Sequence, residues 1–499
     1  MAQKTQVGLL QKVKIPLFGA YSNRGIDPDK DQRFVNVFPE SRKVEQIDQT
    51  KVALVKRPGV SVYKQFKSTG NKLGRGVISF NGATFAAIDD TIYKDNPFGG
   101  VGVPTAVITM TTTTGKVGMV LGNSAIFGDY LFICDGVNGW YINTSFTVTN
   151  IVDPDFPTPH IPTPIFLDGY ICVAKGSDIF SCDLDTPSSW NSSNFVSAES
   201  FPDAIVGLAR QNNQIIAFGS TSTEFFYDAA NASGSPFNRN ESAIIQTGCA
   251  ANHCIYQNER YCAFIGQSDS GGRAVWFIDG LQPKRVSDEF IDRIIDSETD
   301  LSECSGYGVR TKGHMFYIIN LILANRTFVY DVDEKLWHEW SSQNTPGVHS
   351  LFAYNHATDC ETGKMYVQGT NSGYVYNLDP ELYWDTTPTV TSVLVSVRTN
   401  KYDMDTLNRK RLHSVRFFLD RDNDPIVNET LDFYFSDDDY ITSVGPISVD
   451  LISSTTEGFG APIIYQLGSF RRRSFYIEYD SNSNIRFEAL ELCYTEGVS

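Results

Sequence analysis

The chain has 499 residues and is 41% apolar and 13% aromatic, which is enough hydrophobic material for more than one packed core and excludes a disordered protein. No run of 18 apolar residues occurs, so a conventional membrane-spanning helix is excluded. The formal net charge of −17 excludes nucleic-acid binding through a broadly basic surface, because neutralising phosphates requires clustered lysine and arginine.

The N-terminal segment differs in charge from the rest of the chain. Residues 1–64 carry twelve lysine and arginine residues against six acids, a balance of +6 that leaves −23 for the other residues. Strand signals are sparse there, so we predict an extended N-terminal docking segment at 1–64 that binds an acidic surface. A solvated basic loop is the alternative that the charge pattern leaves open.

A repeated pattern of two short strands occupies the middle of the chain, from about residue 76 to residue 379. In each unit a polar turn such as Asn81-Gly82 leads into an apolar strand, and a second strand after it ends in an aromatic residue followed closely by Asp or Asn. The residues that end the seven units are Asp95, Asn143, Asp183, Asp228, Asp279, Asp331 and Asn377. Their spacing matches the roughly 40 to 50 residues of a four-stranded propeller blade. We therefore predict a mainly β protein with a β-propeller of six or seven blades at 65–388.

The pattern changes after Pro388. Longer strands are predicted at 390–398, 412–420, 430–435 and 475–479, and the strand-end marker of the repeat no longer occurs. We therefore predict an additional C-terminal antiparallel β domain at 389–499.

The cysteines show no sign of a disulfide framework. Nine cysteines form no CxxC pair, and their odd number predicts reduced thiols in a protein folded in a cytosol. The tightest group, Cys249, His253, Cys254 and Cys262, has a spacing that matches no common zinc site, so we interpret these cysteines as buried thiols.

The sequence contains several near matches to catalytic or metal motifs. Ser270 stands where the Asp box of sialidases requires Asp, and the run 337–340 lacks the second histidine of a zinc protease. Asp331, Asp333 and Glu334 could ligate calcium, but a turn after a strand commonly contains such residues. No pair of carboxylates stands out for glycoside hydrolysis. We therefore predict a protein that is not an enzyme, with no catalytic, cofactor-binding or metal-binding residues.

Several stretches of the chain resemble one known family, and they occur in the family's order. These stretches are Gln32–Glu40, Arg57–Gly59, Ser181–Trp190, Gln246–Ala251, Gly280–Ser287, and Leu467–Gly468 with Arg471–Arg473. They are similar to the tail nozzle proteins of short-tailed bacteriophages, which are also called packaged-DNA stabilisation or tail hub proteins. The similarity is strongest between residues 180 and 290.

The resemblance implies a structural virion protein that forms a homo-oligomeric ring of six copies. Such a ring attaches below the portal and its adaptor ring, forms the distal tail tube, retains packaged DNA, and docks tail fibres, spikes or a plug. It lets double-stranded DNA pass without sequence-specific binding, and an acidic body suits that role because it repels the duplex. The implied location is the tail of the virion, after folding and assembly in the host cytoplasm.

The residues that we predict to make assembly contacts are Arg33, Asn36, Glu40, Arg57, Arg471, Arg472 and Arg473. For the N-terminal residues, capping of a local turn is the open alternative. For the arginine run, the open alternative is pairing with acidic loops of the same domain.

Two other classes of function remain open at this point. A carbohydrate-binding or glycan-hydrolysing propeller predicts paired carboxylates at the mouth of the central channel and turnover of a polysaccharide. A cellular propeller scaffold predicts a monomer in solution.

Overall fold

The computed structural model of the chain describes residues 9–17, 32–44, 49–96, 102–231, 233–258, 260–342, 345, 350–386, 389–421, 429–451 and 461–497. The N-terminal strands are β1 (Leu10–Pro16), β2 (Arg33–Val35), β3 (Val37–Val44), β4 (Gln49–Lys56) and β5 (Gly59–Gln65). The next two groups are β6 (Gly74–Phe80), β7 (Ala83–Ile88), β8 (Thr91–Lys94) and β9 (Thr105–Thr109), then β10 (Gly118–Ser124), β11 (Gly128–Cys134), β12 (Gly139–Asn143) and β13 (Val148–Asn150).

The chain continues with β14 (Ile161–Leu167), β15 (Tyr170–Lys175), β16 (Asp178–Asp183), β17 (Thr186–Ser197), β18 (Ile205–Gln211), β19 (Gln214–Gly219), β20 (Thr223–Asp228) and β21 (Phe237–Ile245). After these come β22 (Gly248–Cys249), a short 3-10 helix (Asn252–Cys254), β23 (Tyr256–Gln257), β24 (Cys262–Gln267), β25 (Arg273–Asp279), β26 (Gln282–Arg285) and helix α1 (Glu289–Ser297).

The remaining strands up to the second predicted boundary are β27 (Ser305–Thr311), β28 (His314–Leu321), β29 (Arg326–Asp331), β30 (Leu336–Trp340), β31 (Tyr354–Asp359), β32 (Met365–Gly369), β33 (Tyr374–Asp379) and β34 (Trp384–Thr386). The last strands are β35 (Val390–Arg398), β36 (Lys410–Arg421), β37 (Thr430–Ser436), β38 (Val444–Asp450), β39 (Ile463–Tyr465), β40 (Ser469–Phe470), β41 (Ser474–Ser481) and β42 (Ile485–Glu496).

The chain divides into two compact units. The propeller unit contains Ser61–Thr327 and Leu351–Asp379, and the terminal unit contains Met1–Val60, Phe328–Ser350 and Pro380–Ser499. The sequence boundaries that we predicted after residues 64 and 388 differ from this division, because the terminal unit collects three separate stretches of chain. Residue 388 itself lies outside the described residues.

The innermost strands of the propeller unit form a closed ring. Strands β6, β10, β14, β18, β23, β27 and β31 contact one another in that order, and β31 contacts β6. The ring has seven positions, one for each of these strands. Six positions hold complete blades of four or five strands, and the β27–β28 hairpin occupies the seventh. The sixth complete blade is formed by β31, β32, β33 and the N-terminal strand β5. The predicted mainly β fold with a propeller of six or seven blades is confirmed.

The polar turns of the repeat are the tips of the blade hairpins. Asn81 and Gly82 have φ values of 48° and 76° between β6 and β7, and Asp168 and Gly169 have 47° and 88° between β14 and β15. Two successive residues with positive φ fit a tight turn whose twist matches that of the strands. The apolar strands joined by these turns pack one blade against the next. Phe85 of β7, for example, lies in the same apolar cluster as residues of β11 and β12 in the second blade.

The terminal unit has one core between its sheets. One sheet has the order β3-β4-β42-β36-β39, with β1 also paired to β42, and other strands follow one another in the order β30-β2-β35-β41-β37-β38. Phe34, Val37 and Leu54 of the N-terminal strands lie in the same apolar cluster as Phe433 and Leu490. The N-terminal residues, for which we expected an extended segment, therefore supply strands to this core. The predicted C-terminal antiparallel β structure is confirmed.

Helix is scarce in this protein. The nine-residue helix α1 begins at Glu289, after Asp288 accepts hydrogen bonds from two backbone N–H groups of its first turn. Among the residues that the structure describes, no helix is long and apolar enough to cross a membrane.

Candidate assembly sites

Asn36 is the single residue between strands β2 and β3 in the terminal unit. Its backbone φ is 59°, a left-handed value that asparagine tolerates better than most residues. Its side-chain amide donates to the Leu394 carbonyl at 2.8 Å, and its Oδ1 accepts from Arg57 Nε and from the Ser341 N–H, both at 2.8 Å. Asn36 is thus fully engaged inside the unit and does not present its side chain to a partner.

Arg57 forms a buried ion pair beside Asn36. Its guanidinium binds both carboxylate oxygens of Asp385, at 2.6 and 3.0 Å, and also donates to the Ser341 carbonyl at 3.1 Å. Asp385 Oδ1 accepts in addition from the Val60 N–H at 3.0 Å. The guanidinium and the carboxylate are joined by two parallel hydrogen bonds, and other N–H groups of the guanidinium also have acceptors. Such an arrangement fixes the conformation of the chain around it. The structure therefore assigns Arg57 to the interior of the terminal unit.

The other two N-terminal candidates also have partners within the terminal unit. Arg33 binds both carboxylate oxygens of Glu339 on β30, at 2.8 and 2.7 Å. Glu40 lies 3.2 Å from Arg486 of β42, and its side chain is 33% exposed. Of the four N-terminal candidates, Glu40 is the one that keeps a substantial exposed fraction, since Arg33 is only 14% exposed.

The arginine run at 471–473 divides into a buried and an exposed part. Arg473 is buried, binds Asp437 at 2.7 and 2.8 Å, and stacks over the Phe435 ring at 4.0 Å. Arg471 is exposed and donates to the Leu407 carbonyl, and Arg472 is exposed beside it. The alternative of pairing with acidic residues of the same domain applies to Arg473, whereas Arg471 and Arg472 remain available to a partner.

Exposed apolar side chains of the terminal unit were missed by the sequence reasoning. Leu407, Ile441, Val444 and Tyr465 are 66%, 71%, 55% and 68% exposed. Val444 begins β38, which stands at the end of its strand order, and such edges are places where partners bind. No sequence signal separates these residues from core positions, because an apolar residue in a strand looks the same whether its face is covered or open.

The acidic residues of the candidate calcium motif make hydrogen bonds within the terminal unit. Asp331 Oδ1 accepts from the N–H groups of Asp333 and Glu334, at 3.0 and 3.1 Å, and so closes a turn. The Glu334 carboxylate accepts from the Ser41 hydroxyl at 2.7 Å. Burial raises the pKa of Cys249 to about 12, so this residue is a neutral thiol.

The comparisons with known proteins agree with the fold. The family model described as Bacteriophage P22 Gp10, beta-propeller, matches residues 13–383. The tail hub protein gp10 of Salmonella phage P22 is 30% identical over 153 residues, which are 30% of this chain and 30% of that protein. The matched part thus spans less than a third of this relative.

Solved propellers are similar to the chain at low identity. Virginiamycin B lyase from Staphylococcus aureus is 11% identical, with a TM-score of 0.41 over 64% of this chain and 97% of that chain. The Cps50 (Swd1) β-propeller domain of Myceliophteria thermophila is 10% identical, with a TM-score of 0.42 over 64% and 98%. Neither similarity carries an argument about function. The family match covers well over half of the chain, from the N-terminal strands through the propeller, and the chain therefore belongs to the bacteriophage P22 Gp10 β-propeller family of structural phage tail proteins.

Proposed function

We propose that this protein is the subunit of a six-membered ring that forms the distal tail tube of a short-tailed phage, conducts and retains packaged DNA, and docks an adaptor together with fibres, spikes or a plug. The observation that carries the proposal is the family match over residues 13–383, which includes strands of both units. The match to a tail hub protein supports the same location in the virion tail.

The charge of the chain supports the role of a DNA conduit. The net charge of −17 shows that acids outnumber basic residues in the chain, and a tube wall with that charge would repel a duplex and let DNA slide past without a stable complex. Retention of packaged DNA then depends on closure of the tube by a partner and not on sequence-specific contacts. Folding and ring assembly take place in the host cytoplasm under this proposal.

Closure of a ring requires two unlike surfaces on each copy. In the terminal unit, the exposed pair Arg471 and Arg472 offers a small basic surface for one side of such a contact or for an adaptor. The exposed apolar residues Ile441 and Val444 offer a second kind of surface. Arg33, Asn36, Arg57 and Arg473 are each held by partners of the terminal unit, so we assign them to its internal structure and not to these surfaces.

Electron microscopy of a phage particle that carries this protein tests the proposal. The expected result is density for six copies around the tail axis, below the adaptor ring, with the open lumen of the tube wide enough for a duplex. Density away from the tail axis would contradict the conduit role. Purified protein with and without the adaptor, measured by native mass spectrometry, shows whether ring formation depends on that partner.

A binding assay separates the conduit from a DNA-binding protein. A labelled duplex should show weak binding that has no sequence preference and disappears as salt is raised, since an acidic surface makes few phosphate contacts. Tight binding to one sequence would contradict the proposal. Incubation with host polysaccharides tests the hydrolase alternative, which requires measurable release of reducing ends.

A further inference from the structure

A polar cleft lies between the fourth blade (β18–β21) and the fifth blade (β22–β26) of the propeller unit. Its volume is about 350 Å³, which is large enough for a small ligand. The fourth blade contributes residues 211–214, Tyr227 and Asp228, and the β25–β26 turn of the fifth blade contributes Gly280 and Leu281. Residues 211–214 all carry amide side chains, so amides dominate the walls of this cleft.

Strand register places three of these side chains in one row. Gln211 of β18 is paired with Gln214 of β19, and Gln214 is paired with Tyr227 of β20. Residues that are directly opposite in antiparallel strands point to the same face of the sheet, with their Cβ atoms about 4.5 to 5.5 Å apart. Two amides and an aromatic ring are therefore neighbours on one face of the fourth blade.

The hydrogen bonds of Gln211 show that this face is turned toward the fifth blade. Gln211 is 4% exposed, and its Nε2 donates to the carbonyls of Arg260 and Ile278 at 2.6 and 3.2 Å. Its Oε1 accepts no hydrogen bond from the residues that the structure describes. The amide is thus fixed in the wall of the cleft while its acceptor remains unused.

The other amides of the cleft are open to solvent. Asn212 and Asn213 are exposed and Gln214 is half-buried. Within the described parts of the chain, the side chains of these three residues form no hydrogen bond. The ring of Tyr227 is 41% exposed beside them. The cleft therefore presents several unused donors and acceptors together with an open aromatic surface.

A second cleft adjoins the first at the turn formed by Asn212 and Asn213. Its volume is about 640 Å³, and Gln257 and Asn258 of the fifth blade line it together with Arg210 and the two asparagines. Arg210 Nε donates to the Asn212 carbonyl at 3.0 Å, so Arg210 positions the turn that the two clefts share. The amide-rich surface therefore extends beyond the space that one small ligand fills.

This surface suits a neutral sugar better than a nucleic acid. Each amide offers both donors and an acceptor, which match a hydroxyl group, and the Tyr227 ring offers an apolar face to the C–H groups of a pyranose. Among the described residues that line the first cleft, Asp228 is the one with a charged side chain, and its carboxylate repels phosphate. A single carboxylate also lacks the second carboxyl group that glycoside hydrolysis requires.

We propose that the cleft between the fourth and fifth blades binds a neutral oligosaccharide of two or more sugar rings without cleaving it. One pyranose packs on Tyr227, and its hydroxyl groups exchange hydrogen bonds with Asn213 and Gln214. The next ring extends along the turn into the adjoining cleft. This binding does not depend on ring assembly or on the passage of DNA, so it is independent of the function proposed above.

Saturation-transfer NMR and calorimetry of the full chain test the proposal. The probes are trisaccharides of α-linked glucose, β-linked glucose, galactose, mannose and N-acetylglucosamine. We expect at least one of them to bind with a Kd of about 1 mM or tighter and to be recovered intact. Failure of every trisaccharide to bind overturns the proposal, and release of shorter sugars overturns the assignment of a site without catalysis.

Variants show whether the sugar occupies this cleft. Tyr227→Ala should lower the affinity by about tenfold or more, whereas Tyr227→Phe, which keeps the ring, should retain most of it. Gln214→Ala should lower the affinity by about two- to tenfold, because one hydrogen bond is lost. Phe195→Ala is the matched control, since Phe195 is a 42% exposed aromatic residue of β17 outside the cleft, and it should leave the affinity unchanged.

Thermal unfolding of each variant confirms that it is folded before its affinity is measured. Unchanged affinity in folded Tyr227→Ala and Gln214→Ala proteins, or an equal loss in Phe195→Ala, overturns the assignment to this cleft. A short oligothymidylate is then titrated against the bound trisaccharide. Persistence of the sugar signal supports the proposal, and displacement by the oligonucleotide overturns it, because the Tyr227 ring would then stack on a base.

Discussion

Arg57 and Asp385 lie 328 positions apart in the sequence and form a two-point ion pair inside the terminal unit. The shorter contact, from Nη2 to Oδ2, is 2.6 Å, and the side chain of Arg57 is 1% exposed. Asn36 accepts from the same guanidinium at 2.8 Å. The ion pair therefore joins an N-terminal strand to the chain that follows the propeller at one buried position inside the terminal unit.

Asp385→Asn should strongly destabilise the terminal unit. The substitution keeps the side-chain size but leaves the Arg57 guanidinium buried without its countercharge, which costs about 3 to 5 kcal/mol of unfolding free energy. Hydrogen-exchange protection of peptides from β42 and β35 measures the change within this unit.

Glu488→Gln is the matched control for this prediction. It removes one negative charge from an exposed position on β42 and should change the unfolding free energy by no more than about 0.5 kcal/mol. Equal effects of the two substitutions would show that the buried pair of Arg57 and Asp385 does not contribute to the unfolding free energy.

Arg473→Lys should destabilise the terminal unit although it keeps the charge. Lysine cannot make the two parallel bonds to Asp437 or stack its head group on Phe435, so we expect a loss of about 1.5 to 3 kcal/mol. Arg472→Lys, at the exposed neighbour, should be neutral. Chemical denaturation of both variants checks the difference, and a neutral Arg473→Lys would show that the stacked geometry is not needed.

The double substitution Arg471→Glu with Arg472→Glu should weaken assembly and leave folding intact. Both side chains are exposed, and reversing two charges in a contact with an acidic partner lowers the affinity by about tenfold or more. Native mass spectrometry with the adaptor measures the effect. Lys175→Glu with Lys284→Glu makes the same change in total charge on the propeller unit, and an equal effect of that control would assign the loss to net charge.

The propeller could be predicted from sequence because its signals are local. Each blade hairpin closes within a few residues, so a turn such as Asn81-Gly82 and the strands on both sides of it lie in one short window. The closure of the ring by β5 is not local, since this strand pairs with β33, and no periodic pattern marks it. Local patterns therefore predict six or seven blades and do not decide between these numbers.

The candidate sites could be predicted only in part. The motif residues Arg33, Asn36 and Arg57 were found, but a sequence does not show whether an arginine will meet Glu339 or Asp385 several hundred residues away. Pairing of the N-terminal strands with β42 is equally distant along the chain.

Asp95→Ala should destabilise the propeller unit. Asp95 directly follows β8, the third strand of the first blade. Its carboxylate accepts from the Thr84 N–H at 2.6 Å and from the Tyr63 hydroxyl of the closing strand β5. Loss of these buried bonds should lower the unfolding free energy by about 1 to 3 kcal/mol. Asp129→Ala, at an exposed strand position, should have little effect in the same denaturation assay. Similar losses would mean that the strand-end marker has no special role in ring closure.

Lys56 is a buried cation in the terminal unit. Its ammonium donates to the carbonyls of Ser481 and Ser483, the latter at 3.2 Å, and lies 5.4 Å from the centre of the Tyr479 ring. Burial lowers the pKa of Lys56 to about 7, and the neighbouring Arg57 contributes to the same shift. The neutral amine is therefore favoured in the folded state to a much greater extent than in the unfolded chain.

Lys56→Met should reveal this buried amine through the pH dependence of stability. The folded pKa of about 7 lies below the ordinary value of 10.5, so the unfolded state binds more protons between these values and the contribution of Lys56 to unfolding free energy rises with pH there. The unfolding free energy of the unsubstituted protein minus that of the variant should accordingly grow from about pH 7 to about pH 9.5. Below this window the difference should stay constant. Lys12→Met, at an exposed site, should show no trend in the same urea titrations. A difference for Lys56→Met that is flat or falls with pH would mean that its ammonium is not destabilised by burial.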